Sequence, residues 1–339
     1  PLEQSTKGTW VASPSSGTLV VRATIHAFDL SVRGAYFDRE RAFFNGTSLF
    51  LLPEGREGEP VELTVLPPPH VSDWRVATAM TAADTDARGF GRYRADNYDE
   101  LIDQPFEIGY HERVEFEAAG IPHCLVVAGR FDADLERVAT DLAQLCAAQI
   151  GFFGQPVPFS HYTFLGLAVG DGYGGLEHRA SSSLIFRRTD LPKHGETGMP
   201  AQYQRFLTLC SHEYFHSWHV KRTKPAAFMP YALDRRNPTE LLWVFEGITS
   251  YFQERFLRYA GLLGADAHLL GGHRTGDQGI AGHQADDGAQ LGATVPVGHA
   301  APQDQVGQVE QPEDEARGQA QVPGPEDAPD RLGPQRAGD

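Results

Sequence analysis

The pattern of hydrophobic and polar positions predicts a strand-rich first third of the chain. One stretch is β-branched and partly alternating, and another places two apolar runs around an Asn-Gly pair, whose residues tolerate the positive φ of a hairpin turn. These stretches are residues 18–25, predicted as a strand, and 43–51, predicted as a hairpin about Asn45 and Gly46. Residues 67–69 and 84–103 are rich in proline or polar residues and are predicted as loops. We therefore expect residues 1–110 to form a β-sandwich-like domain, incomplete at its N-terminal side.

The pattern then changes to mixed α and β. A buried strand is predicted at 124–128, followed by a helix that Asp132 or Asp134 caps, that runs to about Ile150 and that Gly151 closes. Two further strands, at 162–169 and 181–186, enclose a glycine-rich turn at 170–175.

Two long helices are predicted next. The first runs from Tyr203 to about Val220. The second has a well-specified start, with Asn237 as N-cap followed by Pro238 and Glu240, and Gly261 ends it. Residues 111–262 are therefore predicted to form an α/β domain, which makes the fold class α+β.

The remaining residues, 263–339, show no sustained apolar period. From position 264 onward they contain no aromatic residue, cysteine, methionine or lysine, and they carry much of the net charge of −16. Such a segment cannot bury enough apolar surface to offset the entropy of ordering, so we expect a disordered tail. Its abrupt onset suggests the hypothesis of an out-of-frame or spliced product, which resequencing of the coding DNA would test.

Composition limits the classes of function. No stripe of Lys or Arg is visible, which argues against nucleic acid as a partner, and no apolar run is long enough to span a membrane. The three cysteines, Cys124, Cys146 and Cys210, lie in apolar contexts and are predicted to be free buried thiols in a reducing compartment. This favours a cytoplasmic location. Because the chain begins at Pro1, a preceding signal segment stays an alternative.

Candidate chemistry lies on the first long helix. His212 and His216 are four positions apart, so that both imidazoles point from one helix face toward one metal ion. Glu213, beside the first histidine, is placed to take a proton from a metal-activated water. The alternative is a solvated surface helix, but the apolar residues around the motif favour burial, and buried histidine and glutamate need partners.

Glu246 is the candidate third ligand because it lies in an apolar stretch of the second helix. A buried carboxylate there requires a cation, and the alternative to a metal is an arginine salt bridge. Two imidazoles and one carboxylate suit a single zinc ion.

The motifs resemble the glycyl aminopeptidase family. The residues that carry the resemblance are His-Glu-Tyr-Phe-His-Ser-Trp at 212–218, Val-Lys-Arg at 220–222, Lys-Pro at 224–225, the stretch 242–252 and the Phe-Phe-Asn-Gly-Thr block at 43–47. The resemblance covers about residues 5–262, with His219 where the family commonly has Asn. It implies a thermolysin-like, gluzincin catalytic domain behind a β-rich domain, with His212, His216 and Glu246 on zinc and Glu213 as general base.

The glycine-rich segment resembles the substrate-binding strand of the related aminopeptidase N group. By this resemblance, Gly174 and Gly175 lie along the peptide and Glu177 binds its free α-amine, with His178 departing from the pattern. The implied partners are peptides with a free N-terminus, and the implied products are small N-terminal residues such as glycine or alanine. Gln253 and Glu254 are candidates for hydrogen bonding to a zinc-bound imidazole.

Two alternatives stay open. Related gluzincins use a downstream tyrosine as an additional donor to the oxyanion, whereas the last tyrosine here is Tyr259, on the same predicted helix as Glu246. The C-terminal helical and PDZ regions of the family also have no counterpart. The sequence therefore allows a catalytically impaired, zinc-binding interaction module, and an endopeptidase if Glu177 is unimportant.

Overall fold

The protein is described from a computed structural model that covers residues 2–13, 17–69, 71–233, 235–264 and 294–296. Within these ranges the strands before residue 110 are β1 (Leu2–Thr6), β2 (Thr9–Ala12), β3 (Ala35–Phe37), β4 (Arg41–Phe44), β5 (Leu52–Glu54), β6 (Val61–Val65), β7 (Arg75–Ala77), β8 (Thr81–Thr85), β9 (Gly91–Ala95) and β10 (Phe106–Gly109). The later strands are β11 (His111–Ala118), β12 (Ile121–Gly129), β13 (Tyr162–Val169), β14 (Gly174–Glu177), β15 (Ser181–Arg187) and β16 (Thr294–Pro296). The helices are α1 (Tyr98–Ile102), α2 (Leu135–Phe153), α3 (Ala201–Phe215) and α4 (Leu242–Tyr259).

The strands of the first 110 residues form small sheets, one of which also includes β16, and they enclose a hydrophobic core, as expected of the predicted strand-rich domain. The strand orders are β3-β4-β10-β7, β6-β9-β8 and β1-β2-β16-β5. The core of this region includes Trp74, Tyr93, Tyr98 and Phe106, and α1 contributes to it on one side. The fold class is therefore confirmed as α+β with a sheet-rich N-terminal region.

Two local predictions in this region, the strand at 18–25 and the hairpin at 43–51, are wrong. Residues 18–25 form no strand, because most of their side chains are exposed and no neighbouring strand pairs with them within the described ranges. Asn45 and Gly46 do not turn a hairpin: Asn45 accepts a hydrogen bond from the Thr47 N–H at 3.3 Å and starts a 3-10 turn. Gly46 is needed for space, since a Cβ there would lie 2.7 Å from the Cα of Ile102.

The segment predicted as a loop at 84–103 contains regular structure. Strand β9 pairs with both β6 and β8, and it buries Tyr93 and Ala95 while Arg92 and Arg94 point outward. Helix α1 follows, where the Asn97 side chain accepts a hydrogen bond from the Glu100 N–H at 2.8 Å. The polar outward face hid the two-residue period of the strand.

A five-stranded mixed sheet of order β11-β12-β13-β15-β14 forms the frame of the second region. Strands β12, β13 and β15 run parallel, while β11 and β14 are antiparallel at the two edges. Helix α2 connects β12 to β13, and the Asp134 side chain caps it by accepting a hydrogen bond from the Arg137 N–H at 3.1 Å. The strands predicted at 124–128, 162–169 and 181–186 are confirmed, whereas part of the predicted glycine-rich turn is strand β14.

A second hydrophobic core lies between this sheet and helices α2, α3 and α4. It includes the fully buried side chains of Leu142, Phe164, Phe206, Tyr214 and Phe256. An aromatic cluster that includes Phe153, Phe215 and Phe252 joins the three helices to one another. The two helices that carry the candidate metal ligands are therefore fixed against each other by packing.

The predicted ends of these helices need correction. Helix α2 closes at Gly154, which has φ of 72°, and not at Gly151. Helix α3 ends at Phe215, five residues before Val220, and tight turns follow it. Asn237 does not cap α4, because its side-chain amide closes a loop by bonding to the backbone of Ala232 at 2.8 and 2.9 Å.

Other predictions are settled by single observations. Cys124, Cys146 and Cys210 are all buried and free, as predicted. No helix among the described residues is long and apolar enough to cross a membrane. The predicted tail, 263–339, lies mostly outside the described residues, but Thr294–Pro296 forms a short strand where no regular structure was predicted. The cytoplasmic location stays a prediction.

The close approach at Gly46 gives a stability test. We expect Gly46→Ala to lower the free energy of unfolding by about 1–3 kcal/mol, because the new methyl group meets the backbone of α1. Gly58→Ala is the matched control, since a Cβ there meets nothing within 4 Å, and its effect should stay within about 0.5 kcal/mol. Chemical denaturation of the two variants measures the difference, and equal stability would contradict the packing described.

Candidate active site

The His-Glu-x-x-His motif lies at the C-terminal end of α3, a helix that is buried on nearly all sides. Its residues from Phe206 to Phe215 are all buried, including His212 and Glu213. His216 follows as the C-cap and is 1% exposed. The sequence makes α3 an interior helix because apolar side chains occupy several faces at once, so that its polar residues must find partners inside the protein.

Helix α4 brings Glu246 to the two histidines across the α3–α4 contact. Its Oε2 atom lies 3.3 Å from Nε2 of His212 and 3.7 Å from Nε2 of His216. The two Nε2 atoms are themselves 3.1 Å apart. The structure therefore brings three potential ligand atoms, from positions 212, 216 and 246, to one point, while their role as metal ligands stays a prediction.

The outer nitrogens of both imidazoles face oxygen acceptors. Nδ1 of His212 lies 2.8 Å from Oε1 of Gln253, and Nδ1 of His216 lies 3.0 Å from the backbone carbonyl of His219. A carbonyl oxygen can only accept, so Nδ1 of His216 carries the proton, and the amide oxygen of Gln253 assigns the same tautomer to His212. In the neutral rings both Nε2 atoms then direct lone pairs at each other and at the Glu246 carboxylate.

Converging lone pairs repel one another unless a cation lies between them. The cation is either a proton shared with the carboxylate or a metal ion, and the distances fit the metal. Ligand atoms about 2.0–2.1 Å from a tetrahedral zinc ion lie about 3.3–3.4 Å from one another. The three observed separations of 3.1, 3.3 and 3.7 Å bracket that value.

Glu213 lies against the edge strand β14. Burial raises the pKa of Glu213 to about 8, with contributions from the negative charges of Glu177 and Glu246 and an opposing one from His212. A Cβ at Gly175 would lie only 2.1 Å from Oε1 of Glu213. Gly175 is therefore the residue that lets the strand approach this carboxylate.

Glu177 ends β14 close to the same centre. Ligand atoms of Glu177, Glu213 and His216 lie within 4.8 Å of one another. Burial acts to raise the pKa of Glu177, but the neighbouring His216 and the Lys221 ammonium outweigh it and lower that pKa. Among the described residues β14 pairs only with β15, so no strand pairs with its other edge.

The structure distinguishes the two residues predicted to orient the imidazoles. Gln253 makes the hydrogen bond to His212, whereas the ring nitrogens of His212 and His216 have other partners than Glu254. The carbonyl of His219 takes the orienting role for His216. Sequence reasoning missed this contact because it arises where α3 ends at Phe215 and the chain turns back.

Asp103 is a further residue near the site that the sequence did not suggest. Its carboxylate is buried beneath Lys221, Arg179 and His178, which hold its pKa far below the usual range against the effect of burial. Asp103 lies in a stretch predicted to be a loop, and its partners are more than seventy positions away. Only Lys221, within the Val-Lys-Arg block, carried a sequence signal.

The site combines two histidines of α3, a carboxylate of α4 and a glutamate beside an edge strand. This is the arrangement of a metal-dependent hydrolase site. Comparison with family models gives a peptidase family. Residues 1–110 match the Peptidase M61 N-terminal domain and residues 205–290 match the M61 glycyl aminopeptidase model, together more than half of the chain. The chain belongs to the M61 glycyl aminopeptidase family.

A solved structure agrees with this assignment. A crystal structure described as an aminopeptidase N family protein from Idiomarina loihiensis is 48% identical and superposes with a TM-score of 0.70. The match covers 72% of this chain and 41% of that protein, so the present chain spans less than half of its relative. No curated protein matches the chain.

The hydrogen bond from His212 to Gln253 gives a test of the metal site. We expect Gln253→Ala to weaken metal affinity about 10–100-fold, because the imidazole loses the acceptor that fixes its tautomer and orientation. Glu254→Ala, the neighbouring position on the same helix, is the control and should leave affinity unchanged. Competition with a zinc chelator measures both, and equal affinities would show that Gln253 does not orient His212.

Proposed function

We propose that this protein is a zinc-dependent aminopeptidase that releases small N-terminal residues, glycine or alanine, from peptides. The observation that carries the proposal is the convergence of His212, His216 and Glu246, with Glu213 and Glu177 beside them at the end of an open strand. Membership of a glycyl aminopeptidase family supports the class of reaction and the small first residue. His212, His216 and Glu246 hold one zinc ion, which when bound polarises the scissile carbonyl and activates water.

Glu213 is the general base in this proposal. It is buried next to the metal ligands and points to the side of β14, where the substrate lies. Its carboxylate accepts a proton from the attacking water and delivers that proton to the amine that leaves. A site that served structure alone would gain nothing from a buried glutamate with so costly a charge, which favours catalysis over the alternative of a binding module.

Glu177 and the edge strand select the substrate. The free edge of β14 pairs with the backbone of an extended peptide, and Gly174 and Gly175 keep that edge clear of side chains. The Glu177 carboxylate, whose lowered pKa keeps it ionised, accepts the positively charged α-amine. A peptide without that charge lacks this contact, which makes the enzyme an aminopeptidase rather than an endopeptidase.

The proposal also divides the chain into domains. The sheet-rich region belongs to residues 1–110, and the peptidase region to residues 111–262. In support, β10 ends at Gly109 in one sheet, β11 begins at His111 in another, and separate hydrophobic cores lie on the two sides. The third predicted unit, 263–339, lies mostly outside the described residues.

A comparison of free and blocked peptides tests the proposal. We expect the zinc-loaded protein to release the first residue from glycyl and alanyl peptides and to leave the N-acetylated peptides uncleaved. Glu213→Gln should keep one zinc ion per chain and lose turnover, because the amide accepts no proton from water. Equal cleavage of free and acetylated peptides would indicate an endopeptidase. Zinc binding without any turnover by the parent protein would favour the binding module.

The contact between Gly175 and Glu213 gives a second test. We expect Gly175→Ala to lower kcat about a hundredfold, because its methyl group displaces the Glu213 carboxylate, and misplacement of a reacting group by about 1 Å has an effect of this size. Zinc content should not change. Gly151→Ala, at an exposed position of α2, is the control, since a Cβ there meets nothing within 4 Å. Equal kcat values for the two variants would refute the role given to this close approach.

A further inference from the structure

A partly buried charge cluster around Asp103 joins the N-terminal region to strand β14. Asp103, immediately after α1, has one oxygen, Oδ1, at 2.9 Å from Nζ of Lys221. Its other oxygen, Oδ2, accepts a hydrogen bond from the Arg179 backbone N–H at 2.9 Å, two residues beyond Glu177. The Arg179 guanidinium is also bound to Asp99 of α1. Residues of the first 110 therefore fix both the end of β14 and the turn that follows α3.

Lys221 lies near the end of β14, because its ammonium and the Arg179 N–H, two residues beyond Glu177, bind the two oxygens of the same Asp103 carboxylate. It is bound to Asp103, and it is also close enough to Glu177 that each charge shifts the pKa of the other. Its side chain is 18% exposed, so little water is available to solvate the ammonium. A poorly solvated ammonium group needs a close ion-pair partner, and it pairs with whichever carboxylate is held within reach.

The position of this ammonium matters for the substrate. If Lys221 formed its close ion pair with Glu177, it would occupy the carboxylate that the α-amine of a peptide needs. In the structure the close pair is with Asp103 instead, and the hydrogen bond from the Arg179 N–H holds that carboxylate in place.

We infer that Asp103 is a positioning residue that holds Lys221 away from Glu177 and so leaves the Glu177 carboxylate for the substrate α-amine. This inference rests on the proposed function, in which Glu177 receives that amine. It gives the N-terminal region a specific part in substrate recognition, although its residue does not contact the substrate.

Binding measurements on the full chain test this role without turnover. All variants carry Glu213→Gln, so that the peptide is not consumed, and zinc content and thermal unfolding are recorded for each. Isothermal titration calorimetry gives the affinity for the peptide amide Ala-Ala-Ala and for its N-acetylated form. In the Glu213→Gln parent, the free peptide should bind more tightly than the acetylated one.

Asp103→Asn should weaken binding of the free peptide about tenfold, because the released Lys221 ammonium now competes for Glu177. The acetylated peptide should bind as before. Adding Lys221→Met to Asp103→Asn should restore the affinity for the free peptide, because the competing ammonium is gone. The double variant also leaves no unpaired charge of this pair inside the protein, so it carries the test by itself if Asp103→Asn alone does not fold.

A merely structural role for Asp103 predicts a different pattern. Loss of order in β14 would weaken binding of both peptides, and the second substitution would not restore it. That pattern, or unchanged affinity in Asp103→Asn, overturns the inference. If the parent itself does not discriminate between free and acetylated peptides, the proposed role of Glu177 fails first and the inference falls with it.

Discussion

The rest of this structure depends on one constraint. Three atoms with lone pairs converge on one point between the packed helices α3 and α4. The Nε2 atoms of His212 and His216 and the Oε2 atom of Glu246 lie 3.1–3.7 Å from one another. Such an arrangement is repulsive without a cation, yet the aromatic packing of α3 against α4 holds it in place. The helices are thus positioned to serve a charge that the donors share.

The neighbouring elements can be understood as adaptations to this centre. Gly175 lets an edge strand reach Glu213, because any side chain at that position would overlap the carboxylate. Gln253 and the turn at His219 fix the two imidazoles from behind. Asp103 fixes Lys221 and the end of β14 from the N-terminal region. Each contact fixes the position of one charged group or the direction of one lone pair.

The cluster of His212, His216 and Glu246 could be predicted from the sequence because its signals are local. The four-residue spacing of His212 and His216 and the apolar surroundings of Glu246 predict burial and convergence without any knowledge of the fold. Strand β13 and helix α2 could also be predicted from local signals. Strand β13 is a continuous apolar run, and the Asp134 cap of α2 is a local hydrogen bond.

The predictions failed where contacts with residues distant in the sequence determine the local structure. Asn45 and Gly46 have the composition of a hairpin turn, but Gly46 is required by the backbone of α1, more than fifty positions later. Asn237 looks like an N-cap, but its amide bonds to Ala232. Asp103 has no local signal, since its partners come from β14 and from the turn after α3. Tertiary contacts of this kind override local propensity and cannot be read from one sequence.

The central claim is that two imidazoles and one carboxylate bind one zinc ion. X-ray absorption spectroscopy at the zinc edge of the purified, zinc-loaded protein tests it most directly. The account predicts one tightly bound zinc ion per chain, surrounded only by nitrogen and oxygen at about 2.0–2.1 Å, with outer-shell scattering from two imidazoles. A sulfur ligand at about 2.3 Å, fewer than two imidazoles, or no stoichiometric zinc would contradict it.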